Sequence, residues 1–415
     1  MKKLAVMGII MFAAFALISC GQEEEPAAAQ APAEEAVEPA AAPSEFEDGM
    51  YFAQEDEFSG SGWKYVVSFE IENGEFVWAD WNGVHRDSGP DKKTLDRMGL
   101  YGMVARGGAL AEWYEQAELV ESYLLETQDP AEIPYGDDGK TDAVSGVTIT
   151  ISSFVELTQQ ALAEGPVGRG PYEDGLYFAA QRPDGRWTYT LAMNVISGYI
   201  AGVNWSGFNE DGQDKKAVDR AGEYQMVARG GAQAEWYEQA ELVEAYLLET
   251  QDPADIPYGD DGKTDAVSGV TITISSFAEL AEKALGAGPA SEVVYEDGTY
   301  YAEAEEFSSS GWKSFVDIMV VNGFIVDVDW NAVNEDGEDK KSVDMAGDYQ
   351  MVARGGAIDE WYVQAQRAEE HLLHTQDPRA VDLDDSGRTD AVSGVTINIS
   401  DLVTLADQAL EGARR

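Results

Sequence analysis

A nine-residue segment that occurs three times without change constrains this chain more than any other feature. Thr-Asp-Ala-Val-Ser-Gly-Val-Thr-Ile stands at residues 141–149, 264–272 and 389–397. The copies lie roughly 120 residues apart, which is the length of a domain, whereas stacked solenoid units repeat every ~20 to 50 residues. The sequence therefore predicts three similar domains in a row.

The charge balance is strongly acidic. The 415 residues include 78 Asp and Glu against 27 Lys and Arg, a formal net charge of −51. A hydrophobic content of 44% and an aromatic content of 10% still suffice for packed cores, so most of the charge belongs on the surface. Such a surface repels phosphate backbones, and no nucleic-acid partner is expected. A solvated acidic surface is the simplest interpretation, with cationic partners or a saline habitat as alternatives.

The first 45 residues have the composition of a targeting and tethering segment. Lys2 and Lys3 precede an apolar run at residues 4–18, and Leu-Ile-Ser-Cys ends at Cys20. This resembles a bacterial lipoprotein signal peptide at residues 1–20, with Cys20 as the lipidated first residue of the mature chain; a plain secretory signal is the alternative. Residues 21–45, rich in Ala, Pro and Glu, predict a disordered acidic tether. The expected location is the cell envelope, outside the cytoplasm, on the cytoplasmic or the outer membrane.

Each domain is predicted to be α+β. The limits are 46–166, 171–288 and 294–412, separated by Gly/Pro-rich linkers. Each opens on Glu-Asp-Gly followed by aromatic residues, which indicates a turn into a strand. Two further strand-like runs follow, joined by Asn73-Gly74 in the first domain, and Asn-Gly is a strong hairpin signal. We expect an antiparallel meander packed with a long helix and a short C-terminal helix.

The long helix is predicted from apolar residues spaced three and four apart. In the first domain they are Leu110, Trp113, Ala117, Val120 and Leu124. Glu121 and neighbouring glutamates are expected on the solvent-exposed face of this helix. The helix should end just before Pro130. The short closing helix is predicted to start at a capping box beginning at Ser153 or Ser276, and at Asp401 in the third copy.

The repeated segment contains Asp-x-x-Ser-Gly-x-Thr, which resembles the flavinylation motif of the FMN-binding domain family. The order of meander, helix, motif and last helix also resembles that family over residues 46–412. The resemblance implies that a flavin transferase moves an FMN group from FAD onto the motif threonine through a phosphoester bond. The implied acceptors are Thr148, Thr271 and Thr396. The other implied cofactor-binding residues are Asp142, Ser145, Gly146, Asp265, Ser268, Gly269, Asp390, Ser393 and Gly394.

One position departs from the family, which usually has Ala before the acceptor where this chain has Val147 and its two equivalents. Residues 147–151 alternate as a half-buried strand does, with Val147, Ile149 and Ile151 on one side and Thr148 and Thr150 on the other. In such a strand Val is tolerated. In a tight turn gripped by the transferase, it would block modification.

The residue types also permit an interpretation without the family. Gly146 allows close backbone approach to a phosphate, and Ser145 can donate a hydrogen bond. Asp142 repels a phosphate unless it caps a turn or binds a metal. The alternative is an Asp-initiated turn leading into a Thr-rich edge strand. The third copy keeps all nine residues although its flanks have changed, which indicates a tighter physical requirement on the segment.

A second repeated phrase, Met-Val-Ala-Arg-Gly-Gly-Ala, precedes the long helix. Its arginines, Arg106, Arg229 and Arg354, are candidate phosphate or flavin contacts. The alternative is a Gly-rich helix start in which Arg pairs with carboxylates and the following Trp lies in the core. His371 and His374 share a helix face in the third copy alone, so no metal site is expected. No catalytic triad or P-loop is present, and the chain is not expected to be an enzyme.

These observations favour a membrane-anchored electron carrier with up to three covalent FMN groups, serving respiratory or extracellular electron transfer. Its expected partners are a flavin transferase and a membrane reductase or quinone-linked donor. The alternative is a non-redox surface lipoprotein, an antigen, adhesion or ligand-binding module, that keeps the fold without flavin.

Overall fold

A computed structural model describes residues 46–181 and 186–415. The predicted signal peptide, the tether and Cys20 lie outside the described residues. Residues Ser44–Arg415 form one compact unit, so the three predicted domain limits stay predictions. Within the described ranges, no helix has the length and apolar character needed to cross a membrane.

Each repeat contains a three-stranded antiparallel sheet whose strands pair in chain order. The strands are β1 Gly49–Gln54, β2 Trp63–Glu72, β3 Glu75–His85, β4 Gly175–Ala180, β5 Thr188–Ile196, β6 Tyr199–Phe208, β7 Gly298–Glu303, β8 Trp312–Val321 and β9 Phe324–Asn334. The predicted meander is confirmed in all three repeats, and with the helices packed on it the α+β fold class is confirmed.

The helices follow the strands in each repeat. They are α1 Lys92–Arg97, α2 Trp113–Thr127, α3 Ser152–Glu164, α4 Lys215–Arg220, α5 Met226–Gly230, α6 Trp236–Thr250, α7 Ser275–Ala287, α8 Lys340–Met345, α9 Met351–Gly355, α10 Trp361–Thr375 and α11 Ser400–Leu410. Single 3-10 turns at Pro130–Glu132, Pro253–Asp255 and Pro378–Ala380 follow the long helices. The long helices α2, α6 and α10 pack on β3, β6 and β9.

The hairpin of the first repeat turns at the predicted Asn73-Gly74, whose φ angles of 52° and 75° are those of a two-residue turn with positive φ. The Asp of the opening phrase fixes this turn. Asp48 Oδ1 accepts the Gly74 N–H at 2.7 Å, and Asp174 and Asp297 do the same for Gly198 and Gly323. The Glu-Asp-Gly phrase is therefore repeated because its carboxylate holds the next hairpin.

The long helix of the first repeat differs from its prediction at both Leu110 and Glu121. Leu110 is 98% exposed and precedes the helix, which begins at Trp113 because Glu112 and Glu115 form a capping box there. Glu121 is buried, since its Oε1 accepts the Trp81 N–H at 2.7 Å and pairs with Lys93. The predicted end of the helix is confirmed, with Gln128 in the left-handed conformation before the proline.

The predicted caps of the closing helices are wrong. The residues at the N-cap positions of α3, α7 and α11 are Ile151, Ile274 and Ile399, and none makes a side-chain capping bond. Asp401 lies in the first turn of α11, and its Oδ2 accepts a bond from Ser314 Oγ at 2.6 Å. These helices start where the buried isoleucine ends the motif loop.

A buried lysine lies in an aromatic box in each core. Lys92 is 1% exposed, and its ammonium lies 4.7 Å from the ring centres of Tyr65, Tyr101 and Trp113. Burial lowers its pKa to about 7. Lys215 and Lys340 occupy the equivalent boxes, with pKa values lowered by burial to about 7 and about 8.

The repeats pack on one another through the sheet faces that their own helices leave free. Val66 and Val84 of the first repeat contact Ile196 and Ala201 of the second. A larger cluster joins the second and third repeats, and it includes Leu176, Phe178, Phe208, Val321, Phe324 and Val326. Burial on both faces explains why β6 is buried at nine of its ten positions, from Ile200 onward.

Candidate functional site

The repeated segment lies in a loop between a 3-10 turn and the closing helix. In the first repeat the Ile151 N–H donates to Gly139 O at 2.7 Å and closes the loop; the same bond joins Ile274 to Gly262 and Ile399 to Gly387. The predicted strand at residues 147–151 is wrong, because this segment has no strand neighbour. The three copies are held as closed loops.

The predicted alternation of the side chains is nevertheless confirmed. Val147, Ile149 and Ile151 are 7%, 8% and 0% exposed and belong to the core, whereas Thr148 and Thr150 are exposed. Val270 and Val395 are buried like Val147. Val147 and its equivalents therefore point into the core, whereas the neighbouring threonine is exposed.

A buried glutamine holds the second threonine of the repeated segment, Thr148 or its equivalent, in every repeat. Gln116 Oε1 accepts the Thr148 N–H at 2.7 Å, the Ile149 N–H at 3.2 Å and the Thr148 hydroxyl at 3.1 Å. Its Nε2 donates to Ala111 O at 3.0 Å, which orients the amide. Gln239 and Gln364 make the same two bonds to the N–H and hydroxyl of Thr271 and Thr396. The side-chain amide thus replaces the missing strand neighbour.

Sequence reasoning missed these glutamines, although a signal was present. Trp-Tyr-x-Gln-Ala opens the long helix in all three copies, at residues 113–117, 236–240 and 361–365. The glutamine lies between apolar positions on the buried face, and Gln116 is only 1% exposed. A buried amide needs hydrogen-bond partners, so a polar residue repeated on a core-facing stripe indicates a specific contact.

The other motif residues shape the turn before the acceptor. Gly146, Gly269 and Gly394 have φ of 91°, 89° and 80°, a conformation that disfavours side chains. Asp142 caps no turn, because the Ala143 N–H donates to Thr141 Oγ1 at 3.0 Å. Within the described residues, Asp142 and Ser145 are exposed and have no side-chain hydrogen bond.

An open groove of about 540 Å³ lies beside the loop of the first repeat, and Thr148 and Asp142 are on its rim. Tyr135 and Lys140 also line it. Burial of its hydroxyl and the nearby Glu156 carboxylate raise the pKa of Tyr135, which stays neutral at pH 7. The second repeat has an equivalent groove of about 510 Å³, lined by Tyr258, Lys263, Asp265 and Thr271 among others.

Lys140 is a second residue that sequence reasoning overlooked. A basic residue stands two positions before the motif Asp in every copy, as Lys140, Lys263 and Arg388. Because the chain has only 27 basic residues, a basic residue at the same position of all three copies is a pattern that the sequence alone shows. The structure places the first two in the grooves next to the acceptor threonines.

Two solved structures are similar to part of the chain. One is a solution NMR structure of a protein from Clostridium thermocellum, 53% identical, which covers 28% of this chain and 91% of that chain with a TM-score of 0.24. The other is a crystal structure of a Clostridium perfringens protein, 21% identical, which covers 29% of this chain and 88% of that chain with a TM-score of 0.24. Both came from a structural-genomics programme, and neither description states a function. No family model and no curated protein matches the chain.

The third loop differs from the other two in its surroundings. Leu119 and Leu242 lie over the motif glycines of the first two repeats, and Arg367 takes this place in the third. Arg367 Nη1 donates to Gly394 O at 2.9 Å and pairs with Asp359 at 2.6 Å. Leu383 stands where the first two grooves have a tyrosine. The three repeats share the hydrogen bonds between glutamine and threonine. The side chains around the loop differ in the third repeat.

The groove residues fit a flavin phosphate in part. A volume of about 540 Å³ lies within the ~300–1,000 Å³ of small-molecule sites, and Lys140 supplies a cation. Arg106 does not line the groove: it is exposed, and its Nη2 donates to Leu100 O at 2.7 Å. Arg229 and Arg354 are likewise exposed, at the ends of α5 and α9. A flavin contact from these arginines stays a prediction.

Proposed function

We propose that this chain is an electron carrier that bears FMN groups on Thr148, Thr271 and Thr396. The observation that carries the proposal is the exposed threonine hydroxyl that a buried glutamine presents in each of the three loops. The resemblance of the motif to the flavinylation motif supplies the chemical identity of the group. When attached, FMN supplies one- and two-electron transfer.

The glutamine contact is compatible with a phosphoester at the threonine. Esterification removes the hydroxyl proton, so Thr148 Oγ1 no longer donates to Gln116. The amide oxygen keeps the Thr148 and Ile149 N–H donors at 2.7 and 3.2 Å. No buried polar atom of this contact is left without a partner, and the loop can hold the same shape before and after modification.

The Val positions support the proposal as well. The alternative function, a non-redox lipoprotein that keeps the fold without flavin, rests on Val147 and its equivalents, which stand where the family usually has Ala. Because these side chains are buried in the core, their additional methyl groups occupy space away from Thr148. They leave the hydroxyl face of the loop as open as Ala would.

Two groove residues are suited to hold the attached group. Lys140 is the cation that would accompany the phosphate, and the side chain of Tyr135, 40% exposed, offers a ring and a neutral hydroxyl. Lys263 and Tyr258 are their equivalents in the second repeat. Asp142 lies on the same rim, and we assign it to recognition by the transferase rather than to the phosphate.

The proposal is tested by mass spectrometry after co-expression with a flavin transferase. The wild-type protein should carry added FMN masses, and Thr148→Val, Thr271→Val and Thr396→Val should each remove one. Thr150→Val is the matched control, because Thr150 is exposed in the same loop and lies outside the motif. Its mass should show the same number of FMN groups as the wild type. An unmodified wild-type chain beside a transferase that modifies a known acceptor would contradict the proposal.

We also propose a lipid anchor at Cys20 that places the carrier in the cell envelope, near a membrane reductase or quinone-linked donor. The support is the lipobox-like sequence that ends at the only cysteine of the chain. Cys20→Ser should move the protein from the membrane to the soluble fraction of its host. Retention of the variant in the membrane would contradict the anchor without affecting the flavin proposal.

A further inference from the structure

A cleft of about 340 Å³ lies between the first and second repeats, away from the motif loops. Four basic side chains line it: Lys64, Arg86, Lys216 and Arg220. They belong to a chain with a formal net charge of −51 and 27 basic residues in all. Four carboxylates, those of Asp56, Glu57, Glu241 and Glu244, line the same cleft, so the pairing of each cation decides what the cleft can bind.

Two of the four have their carboxylates within the second repeat. Lys216 Nζ lies 2.5 Å from Glu244 Oε1. Arg220 Nη2 lies 2.5 Å from Glu241 Oε1, and its Nη1 lies 3.8 Å from Asp87 of the first repeat. These pairs neutralise the wall of the cleft formed by the second repeat.

The two cations of the first repeat are not matched in this way. Lys64 is 2% exposed and makes no hydrogen bond or salt bridge in the described ranges; its ammonium lies 5.3 Å from the centre of the Phe58 ring, and the Asp56 and Glu55 carboxylates act on it only at longer range. Arg86 donates from Nη2 to Ser59 O at 2.9 Å, while its buried Nε has no partner among the described residues. A ring face attracts a cation but accepts no conventional hydrogen bond. Burial lowers the pKa of Lys64 to about 8, so the ammonium is charged at pH 7.

Comparison within the chain shows that this arrangement is particular to the first repeat. Lys313 is the counterpart of Lys64 in the third repeat, and it pairs with Glu303 at 2.6 Å. The strand registers place Gln54 at the position of Glu303, and the buried Gln54 Oε1 has no partner in the described part of the chain. Glutamates occupy the positions equivalent to Arg86 in both other repeats. Relative to the third repeat, the first has Arg86 where a glutamate stands and Gln54 where the partner of Lys313 stands.

We infer that this cleft binds a small anion through a phosphate or carboxylate group that Lys64 and Arg86 contact. A buried cation without an acceptor is unfavourable unless it is solvated or paired, and an oxyanion supplies the acceptors that both side chains lack. Asp56 and Glu57, exposed on the rim, repel any anion in the cleft, so an anion of low charge fits it better than a highly charged one. The site is independent of flavin attachment.

The first experiment is calorimetric titration of the full mature chain in low-chloride buffer, with inorganic phosphate and with succinate as probes. Saturable binding of either probe is expected, and the tighter one identifies the headgroup. Lys64→Met and Arg86→Met should each weaken binding at least tenfold. Lys313→Met is the matched control and should leave it unchanged. Absence of binding of both probes to the wild type at about 10 mM, a concentration that saturates even weak sites, would overturn the inference.

A second variant tests the inference without removing a charged side chain, since such a removal can itself affect folding. Gln54→Glu introduces into the first repeat the carboxylate that pairs with Lys313 in the third. This variant should fold, resist denaturant at least as well as the wild type, and bind the probe at least tenfold more weakly, because the introduced carboxylate would take the place of the anion. Unchanged affinity in this folded variant would contradict the assignment of Lys64 to the anion.

Discussion

At the scale of single residues, Gln116 links the long helix to the motif loop with one amide oxygen. Gln116 Oε1 accepts hydrogen bonds from the N–H and hydroxyl of Thr148 and from the N–H of Ile149, which lie 32 and 33 residues further along the chain. A loop of this kind has no strand or helix to satisfy its backbone. The backbone bond from Ile151 to Gly139 closes the loop, and Gln116 fixes the part of it around Thr148.

Gln116→Leu should destabilise the first repeat and loosen its loop. Two backbone donors lose their acceptor at a cost of about 1–3 kcal/mol. Denaturant unfolding should show the loss, and the amide hydrogens of Thr148 and Ile149 should exchange faster. Gln159→Leu, on the exposed face of α3, is the control and should change neither quantity. Normal protection of both amides in Gln116→Leu would contradict this account.

Lys92→Met should flatten the dependence of stability on pH. The pKa of Lys92 in the folded state is about 7, below its ordinary value, so above pH 7 the folded state releases a proton that the unfolded state keeps. The contribution of this group to stability therefore rises with pH from about 7 toward the ordinary lysine pKa. Between pH 7 and 9 the wild type should gain on the order of 2 kcal/mol relative to the variant.

Urea unfolding of both proteins at several pH values measures this difference. Lys215→Met should reproduce it in the second repeat, since the pKa of Lys215 is also about 7. Parallel stability curves for the wild type and Lys92→Met would show that the aromatic box does not disfavour the charged lysine.

The sequence predicts the burial pattern of the motif segment, but not the side chains that surround it. The burial of Val147 and the exposure of Thr148 follow from local alternation. Gln116 and the burial of Glu121 are set by contacts 32 and 40 residues distant, which local patterns do not contain. The periodicity of α2 places both on the helix, but only the fold decides what each one faces.

At the scale of elements, the linker between the first two repeats is hydrogen-bonded to the turn between β5 and β6. The Gly170 N–H donates to Ser197 O at 3.0 Å, and the Tyr172 N–H donates to Gly198 O at 3.3 Å. Gly198 has a φ of 81°, and a Cβ there would lie 2.3 Å from Gly170 O. The linker is therefore part of the packed structure.

Gly198→Ala should destabilise the protein by more than its positive φ alone requires. Gly222→Ala is the control, because Gly222 has a φ of 78° and nothing within 4 Å of its Cβ position. Gly222→Ala should lower the free energy of unfolding by about 1 kcal/mol. Gly198→Ala should lower it by at least about 2 kcal/mol more, since the linker must move away from the added methyl group. Thermal unfolding of the two variants gives the comparison, and equal losses would mean that the linker contact is weak.

Strands and turns were more predictable than helix starts, for a physical reason. Asn-Gly fixes a hairpin through the φ angles of its own two residues. The start of α3 is instead set by Ile151, which is anchored in the core and bonded to Gly139. Ser153 has the right chemistry for a cap and lies one residue inside the helix. Tertiary packing overrides the local preference there.

At the scale of the whole molecule, the repeats pack on one another through their sheet faces within one compact unit. Val84 is fully buried beneath the second repeat, where its side chain approaches Gly202. Val333, its counterpart in the third repeat, is only half-buried. The same position is therefore internal in one repeat and peripheral in another.

Val84→Asp should destabilise the protein by about 3 kcal/mol or more, because the carboxylate would be buried between the repeats without a partner. Val333→Asp should cost clearly less. Urea unfolding followed by tryptophan fluorescence compares them, and the wild type should unfold in one transition. Separate transitions for the wild type, or equal costs for the two variants, would show that the repeats are energetically independent.

The shared sheet faces also bear on how the chain folds as it emerges during synthesis. The face that contains Val66 and Val84 is complete before Ile196 and Ala201, which cover it, have been made. These residues follow roughly a hundred positions later, a delay on the order of ten seconds at ~5 to 20 residues per second. Until then the side chains of Val66 and Val84 are uncovered on a face that also carries Lys64 and Ser68, and a holding chaperone that recognises exposed apolar side chains would bind the first repeat in this interval.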